Sequence, residues 1–153
     1  MKAAIIDWIT PPDRDLAPRL SRKHKFDRGF QHETTGALLC PAGIDWNNAE
    51  IKAKLKSGEM YVRGDQWPVF LYDDNKFDPE NPWKGLLCNH ILVLAYKHVF
   101  TLPSSADHNE PKATRSGNAR IHGMTSVTKG SLAYIATQVR FALSSASKPD
   151  LPL

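Results

Sequence analysis

The chain has 153 residues and a mass of 17.1 kDa, enough for one ordinary domain and too little for two. Hydrophobic residues make up 41% and charged residues 24%, close to globular averages, which argues against a disordered or fibrous chain. Two cysteines exclude a disulfide-dense scaffold and a four-thiolate zinc site, and 20 Lys+Arg against 16 Asp+Glu leave a mild basic bias of +4.

At the start, Ala3 to Ile9 is a short apolar piece, stopped by Pro11-Pro12, whose rings cannot continue a helix. Asp7 interrupts the run well short of the roughly 7–15 apolar residues of a secretory signal, so the expected location is intracellular and the expected thiols reduced. Residues 13–28 read as a charged, irregular arm, and the N-terminal stretch 1–28 as a whole as loosely attached. From Gly29 to Asp45 the pattern is turn-rich, with Thr34-Thr35-Gly36 followed by Cys40-Pro41-Ala42-Gly43. Nothing beside Cys40 or Cys88 activates a thiolate, which leaves both as buried structural cysteines.

The spacing then predicts a surface helix over 48–57. Asn47 or Asn48 caps its first amides, Gly58 supplies a left-handed stop, and Ile51 and Leu55 share one face among lysines. Met60-Tyr61-Val62 and Trp67-Pro68-Val69-Phe70-Leu71-Tyr72 have strand-like composition around Gly64-Asp65. Pro68 cannot donate to a ladder, so they predict at most an edge hairpin. A second helix is expected over 83–100, opened by Pro82 and apolar on nearly every side, hence central. A third is expected over 129–145, with Leu132, Ile135, Ala136, Val139 and Leu143 on one stripe. Tyr134 and Phe141, seven apart, make a second apolar patch that calls for a protein partner or a second copy of the chain. Residues 146–153 read as a disordered tail. The longest apolar run, Ile91 to Tyr96, falls far short of the ~20 residues of a membrane span. The expected fold class is therefore mainly α. It is a single domain over residues 1–145 with two buried helices and one surface helix, and the edge β-hairpin is the α+β alternative.

Charge is segregated along the chain. Residues 59–81 carry six acids and two bases, residues 13–28 six bases and three acids, and residues 111–149 six bases and no acid. The last stretch holds Lys112-Ala-Thr-Arg115-Ser-Gly117-Asn118-Ala-Arg120-Ile-His122-Gly123. Small residues let a backbone approach an anion, and arginine forks match phosphate oxygens in pairs. Lys112, Arg115, Asn118, Arg120 and His122 are thus the candidate contacts for nucleic acid or another phosphate-bearing partner. The structural alternative is that these bases are internal struts, paired with the 59–81 carboxylates. No aromatic residue interleaves them, which disfavours single-strand stacking.

Catalytic and metal constellations are poorly supported, and no cofactor is implied. On a helix Cys88 and His90 point roughly 200° apart, and His90 and His98 lie two turns apart, so neither pair shares an ion easily. Asp13 with Glu50 and Lys52 resembles a nuclease pattern only formally, because Glu50 and Lys52 fall on a lysine-rich helix. Trp8, Trp46, Trp67 and Trp83 each sit beside turn or proline residues and read as core anchors. The expectation is a non-enzymatic binding module, with a protein-interaction or scaffold domain as its rival.

Several blocks together carry a resemblance: Asp27-Arg28-Gly29-Phe30, Leu39-Cys40-Pro41-Ala42-Gly43, Gly64-Asp65-Gln66-Trp67-Pro68, Pro79-Glu80-Asn81-Pro82-Trp83, Lys112 to Met124, and Ala136 to Ser144. From about Ile6 to Ser145 the chain resembles an uncharacterised domain family expanded in mushroom-forming basidiomycete fungi, with the block from Lys112 the most specific. The family has no assigned activity, so the resemblance implies no ligand and no catalytic residue. Its members typically continue upstream and add an acidic, tryptophan-containing helical segment after the position of Ser145. The resemblance thus implies a truncated member.

Overall fold

The computed structural model describes residues 1–101 and 123–146. Five α-helices form among them: α1 (Ala4–Ile9), α2 (Glu33–Leu39), α3 (Ala49–Ser57), α4 (His90–Phe100) and α5 (Lys129–Leu143). Short 3-10 turns at Gly29–Gln31, Val69–Leu71 and Asp73–Asn75 join them, and no sheet forms among the described residues. The mainly α class is what the sequence predicts.

Helix α5 is bounded by local chemistry. Thr128 Oγ1 accepts the Ser131 amide at 3.1 Å while Ser131 Oγ accepts the Thr128 amide at 3.0 Å, a reciprocal capping box. Its buried face is Ile135, Val139, Ala142 and Leu143, with Ile135, Val139 and Leu143 at four-residue spacing. Each of those three side chains is worth about 1.5–3 kcal/mol of burial. They pack on Ile91, Leu92 and Ala95 of α4, with Ile5 and Ile6 of α1 and Leu39 of α2 completing the main core.

A second cluster, Cys40, Trp46 and Leu55, sits between α2 and α3, and Phe30 touches both cores. Helix α3 is as the spacing predicts. Asn48 Oδ1 accepts the Glu50 and Ile51 amides at 3.0 and 3.2 Å, and Gly58 is left-handed at φ 80°.

Four expectations are corrected. Helix α4 starts at His90, about two turns later than expected. Gly85 and Leu87 have φ 71° and 61°, so residues 83–88 turn back onto residues 71–73, and the cap is Asn89, whose Oδ1 accepts the Ile91 amide at 3.0 Å. The edge hairpin is replaced by two isolated antiparallel bridges, Pro41 with Pro68 and Tyr72 with Leu86. Their prolines lack the N–H groups a ladder needs, and Val69–Leu71 coils instead, burying Phe70 and Leu71. The stretch 29–45 contains a real helix, α2, capped by the His32 ring. His32 Nδ1 accepts the Thr34 amide at 3.1 Å, so its Nε2–H faces the Pro18 carbonyl oxygen at 2.7 Å. Finally, the charged stretch 13–28 is not loosely held: Leu16 and Leu20 join the main core, and Arg28 is fully buried. The expected tail lies largely outside the described residues.

Arg28 explains how that stretch is fastened. The last carbonyls of a helix have no partner within it and carry partial negative charge. Arg28 Nη1 donates to the carbonyl oxygen of Ala142 at 2.6 Å, and Nη2 donates to those of Lys2 at 2.8 Å and Ser21 at 2.9 Å. Lys25 Nζ donates to the Phe141 carbonyl oxygen at 2.6 Å and lies 3.2 Å from the centre of the Phe141 ring. Two cations from the N-terminal stretch therefore close the C-terminal end of α5. Burial lowers the pKa of both, with the Arg28 and Lys2 charges adding to the effect on Lys25, which falls to about 8.

Candidate functional site

The expected phosphate contacts Lys112, Arg115, Asn118, Arg120 and His122 lie outside the described residues. Tyr134 and Phe141, expected as one interaction face, differ in surroundings. Phe141 is half-buried beneath the Lys25 ammonium, whereas Tyr134 is exposed, its ring 6.3 Å from that of Phe100. Of the other cations in residues 111–149, Lys129 and Arg140 are exposed on α5, at 20° from one another around the helix at 100° per residue.

Of the acids in residues 59–81, Asp65 pairs with Arg63 at 3.2 Å, Asp74 with Lys76 at 2.7 Å, and Asp78 with Lys84 at 3.5 Å. These pairs are local in sequence and exposed, so each contributes little to stability. No group of three His, Cys, Asp or Glu side chains able to hold a metal ion occurs among the described residues. Cys40 is buried, its thiol pushed up to about 11 by burial and by Asp45, as expected of a structural cysteine. Cys88 is exposed, contrary to expectation, because it falls in the turn ahead of α4 rather than inside a helix.

A surface groove of about 410 Å³ has walls that include Trp67 and Trp83. Of the four tryptophans only Trp46 is buried. Trp67 is 41% and Trp83 72% exposed. The two indoles meet edge to face, with centroids 6.1 Å apart and planes at 70°. Both are mounted on fixed backbone. The Trp67 carbonyl oxygen accepts the Ala42 amide at 2.8 Å and the Cys40 carbonyl oxygen accepts the Val69 amide at 2.9 Å, which holds the Trp67-Pro68 segment against residues 40–42. Trp83 rides on a turn that Asp78 closes, its Oδ1 accepting the Glu80 and Asn81 amides at 3.1 and 3.3 Å. Those bonds, Glu80 first, with Lys84, hold the Asp78 carboxyl below its usual range.

The floor is Tyr72 and Phe77, themselves edge to face at 5.2 Å. The rim is polar: Gln66 Oε1 accepts the Arg63 amide at 2.8 Å and Arg63 leans on Asp65. Apart from Ala42, every wall residue comes from residues 59–84, which carry six acids against three bases. Such a surface offers apolar area already fixed in place, so a ligand pays little ordering cost on the protein side. The signal in the sequence was Trp67-Pro68 and Pro82-Trp83, where proline stiffens the chain at an indole.

A second groove, also of about 410 Å³, lies along α1 between Ile6, Leu16 and Leu20 and is bridged by the Arg22–Asp7 and Arg19–Asp15 pairs. Among the described residues no helix is long and apolar enough to cross a membrane. Neither curated proteins nor solved structures provide a match to the chain. The model of the family of unknown function DUF6698 matches residues 1–150, nearly the whole length, and the chain belongs to that family.

Proposed function

We propose that this protein is a non-enzymatic protein-interaction module that holds an extended segment of a partner in the Trp67–Trp83 groove. The observation that carries this reading is the pair of neighbouring exposed indoles on hydrogen-bonded backbone. Tryptophan is the residue most enriched among those that dominate interface energies, and a rigid one spends little entropy on binding. On this reading the protein works inside the cell, with both thiols reduced.

The test is selection of peptides from a random display library on the wild type, followed by binding to Trp83→Ala. Selected peptides that lose at least tenfold in affinity, about 1.4 kcal/mol, support the reading. Peptides indifferent to Trp83 contradict it.

A second reading assigns Lys112, Arg115, Asn118, Arg120 and His122 to a phosphate-bearing partner such as nucleic acid. It draws support from the local partners that Asp65, Asp74 and Asp78 already have. Four phosphate contacts would cost about a hundredfold in duplex affinity between 50 and 200 mM salt. An Arg115→Ala, Arg120→Ala variant should abolish that salt-dependent binding. Absence of duplex binding at 50 mM salt contradicts this second reading.

A further inference from the structure

Resting on the interaction reading above, we infer that the occupant of the Trp67–Trp83 groove is a proline-containing segment in the polyproline II conformation that also carries basic residues. Ring geometry is the first argument. A flat ligand sandwiched between two rings needs them parallel, whereas Trp67 and Trp83 stand at 70° to one another, 6.1 Å between centroids. Two rings so crossed leave a notch, open to solvent on the Trp83 side, that suits a compact, saturated ring. Proline supplies such a ring on a chain whose extended conformation is set before binding, which is why aromatic-lined grooves recur as its receptors.

Charge is the second argument. The groove's own lining carries one base and one acid, Arg63 and Asp65, and the remainder of the 59–84 segment around it adds five acids against two bases; Asp65 stands on the rim with its side chain 70% exposed. The Arg63 guanidinium beside it is equally exposed, so a ligand cation displaces a weakly held partner at small cost. An acidic ligand would instead meet the net negative field of this segment.

The inference concerns ligand class, and its test separates it from the reading on which it rests. The probe is a labelled nine-residue peptide of three Lys-Pro-Pro repeats. In polyproline II it places lysines along one edge about every 9.3 Å and prolines along the other two. Fluorescence anisotropy should show saturable binding to the wild type and at least tenfold weaker binding to Trp83→Ala. A Glu-Pro-Pro repeat and a Lys-Gly-Gly repeat should each bind at least tenfold more weakly than the probe. Asp65→Lys, which leaves the indoles in place, should weaken the Lys-Pro-Pro probe and strengthen the Glu-Pro-Pro one. Equal binding of the probe to wild type and Trp83→Ala, or no binding at all, overturns the inference. Should display selection meanwhile yield Trp83-dependent peptides without proline, the ligand class is wrong and the interaction reading stands. Should it yield no Trp83-dependent peptide, both fall.

Discussion

Arg28 donates through Nη1 to the carbonyl oxygen of Ala142 at 2.6 Å, joining positions 114 residues apart. With no carboxylate bonded to its guanidinium among the described residues, Arg28 is neutralised by carbonyl oxygens, two of them on the N-terminal stretch and one at the end of α5. That arrangement makes the charged stretch 13–28 part of the fold.

Replacement of Arg28 by alanine removes three charge-assisted hydrogen bonds, one to the buried Ala142 carbonyl and two to the part-buried carbonyls of Lys2 and Ser21. The expected loss is about 3–5 kcal/mol, a large share of the ~5–15 kcal/mol that holds a typical domain together. Arg28→Lys should recover part of it, since one ammonium cannot span all three acceptors. Urea denaturation of the three proteins checks the order; equal midpoints would refute it.

Gly36 lies in α2, where glycine ordinarily weakens a helix, yet a Cβ built there would come within 2.4 Å of the Trp46 ring. The ring cannot easily yield. Its Nε1–H donates to Glu33 at 2.8 Å, Lys52 lies 4.9 Å from its centre, and Trp46 is buried. Gly36→Ala should therefore destabilise by about 1–3 kcal/mol despite alanine's better helix propensity. A rise in the thermal midpoint would show that the indole is free to move.

Lys25 gives a signed pH dependence. Its pKa is about 8 in the folded chain and near its ordinary value of about 10.4 when unfolded, so between these values the unfolded chain holds more protons. Stability from this group therefore rises with pH, by about 2 kcal/mol from pH 8 to 10. Cys40, raised to about 11, works in the opposite direction above the ordinary thiol range. Comparing wild type with Lys25→Met by urea denaturation at both pH values isolates the lysine. The variant should lack the gain, and identical slopes would contradict the assignment.

The two thiols should differ in reactivity. Cys88 is exposed, whereas Cys40 is buried with its Sγ–H directed at the Ile44 carbonyl oxygen at 3.5 Å. A thiol reagent at pH 8 should modify one cysteine per native chain promptly and two after denaturation, read by mass spectrometry. Prompt modification of both in the native protein would contradict the burial of Cys40.

What was legible in the sequence follows the range of the interactions involved. Helix α3 and the start of α5 are written locally, in Asn48, Gly58 and Thr128, and were readable. Helix α2 was not, because Thr34-Thr35-Gly36 has poor intrinsic helicity and is helical owing to Trp46 and the His32 cap. Helix α4 was read too long because Pro82 is an ordinary first-turn residue, and the competing signals, Gly85 and Asn89, sit inside an apolar pattern. The groove escaped notice because the side on which a tryptophan falls depends on bridges between residues 40–42 and 67–69 and between 71–73 and 85–87. Single-residue patterns do not encode those pairings.

The central claim is that Trp67 and Trp83 form the contact surface. The most direct measurement is the set of four tryptophan indole N–H signals in a nitrogen-15 NMR spectrum, followed as a display-selected peptide is added. The signals of Trp67 and Trp83 should move together and saturate while that of buried Trp46 stays in place. A peptide that saturates the protein and leaves both of those signals unmoved would contradict the account.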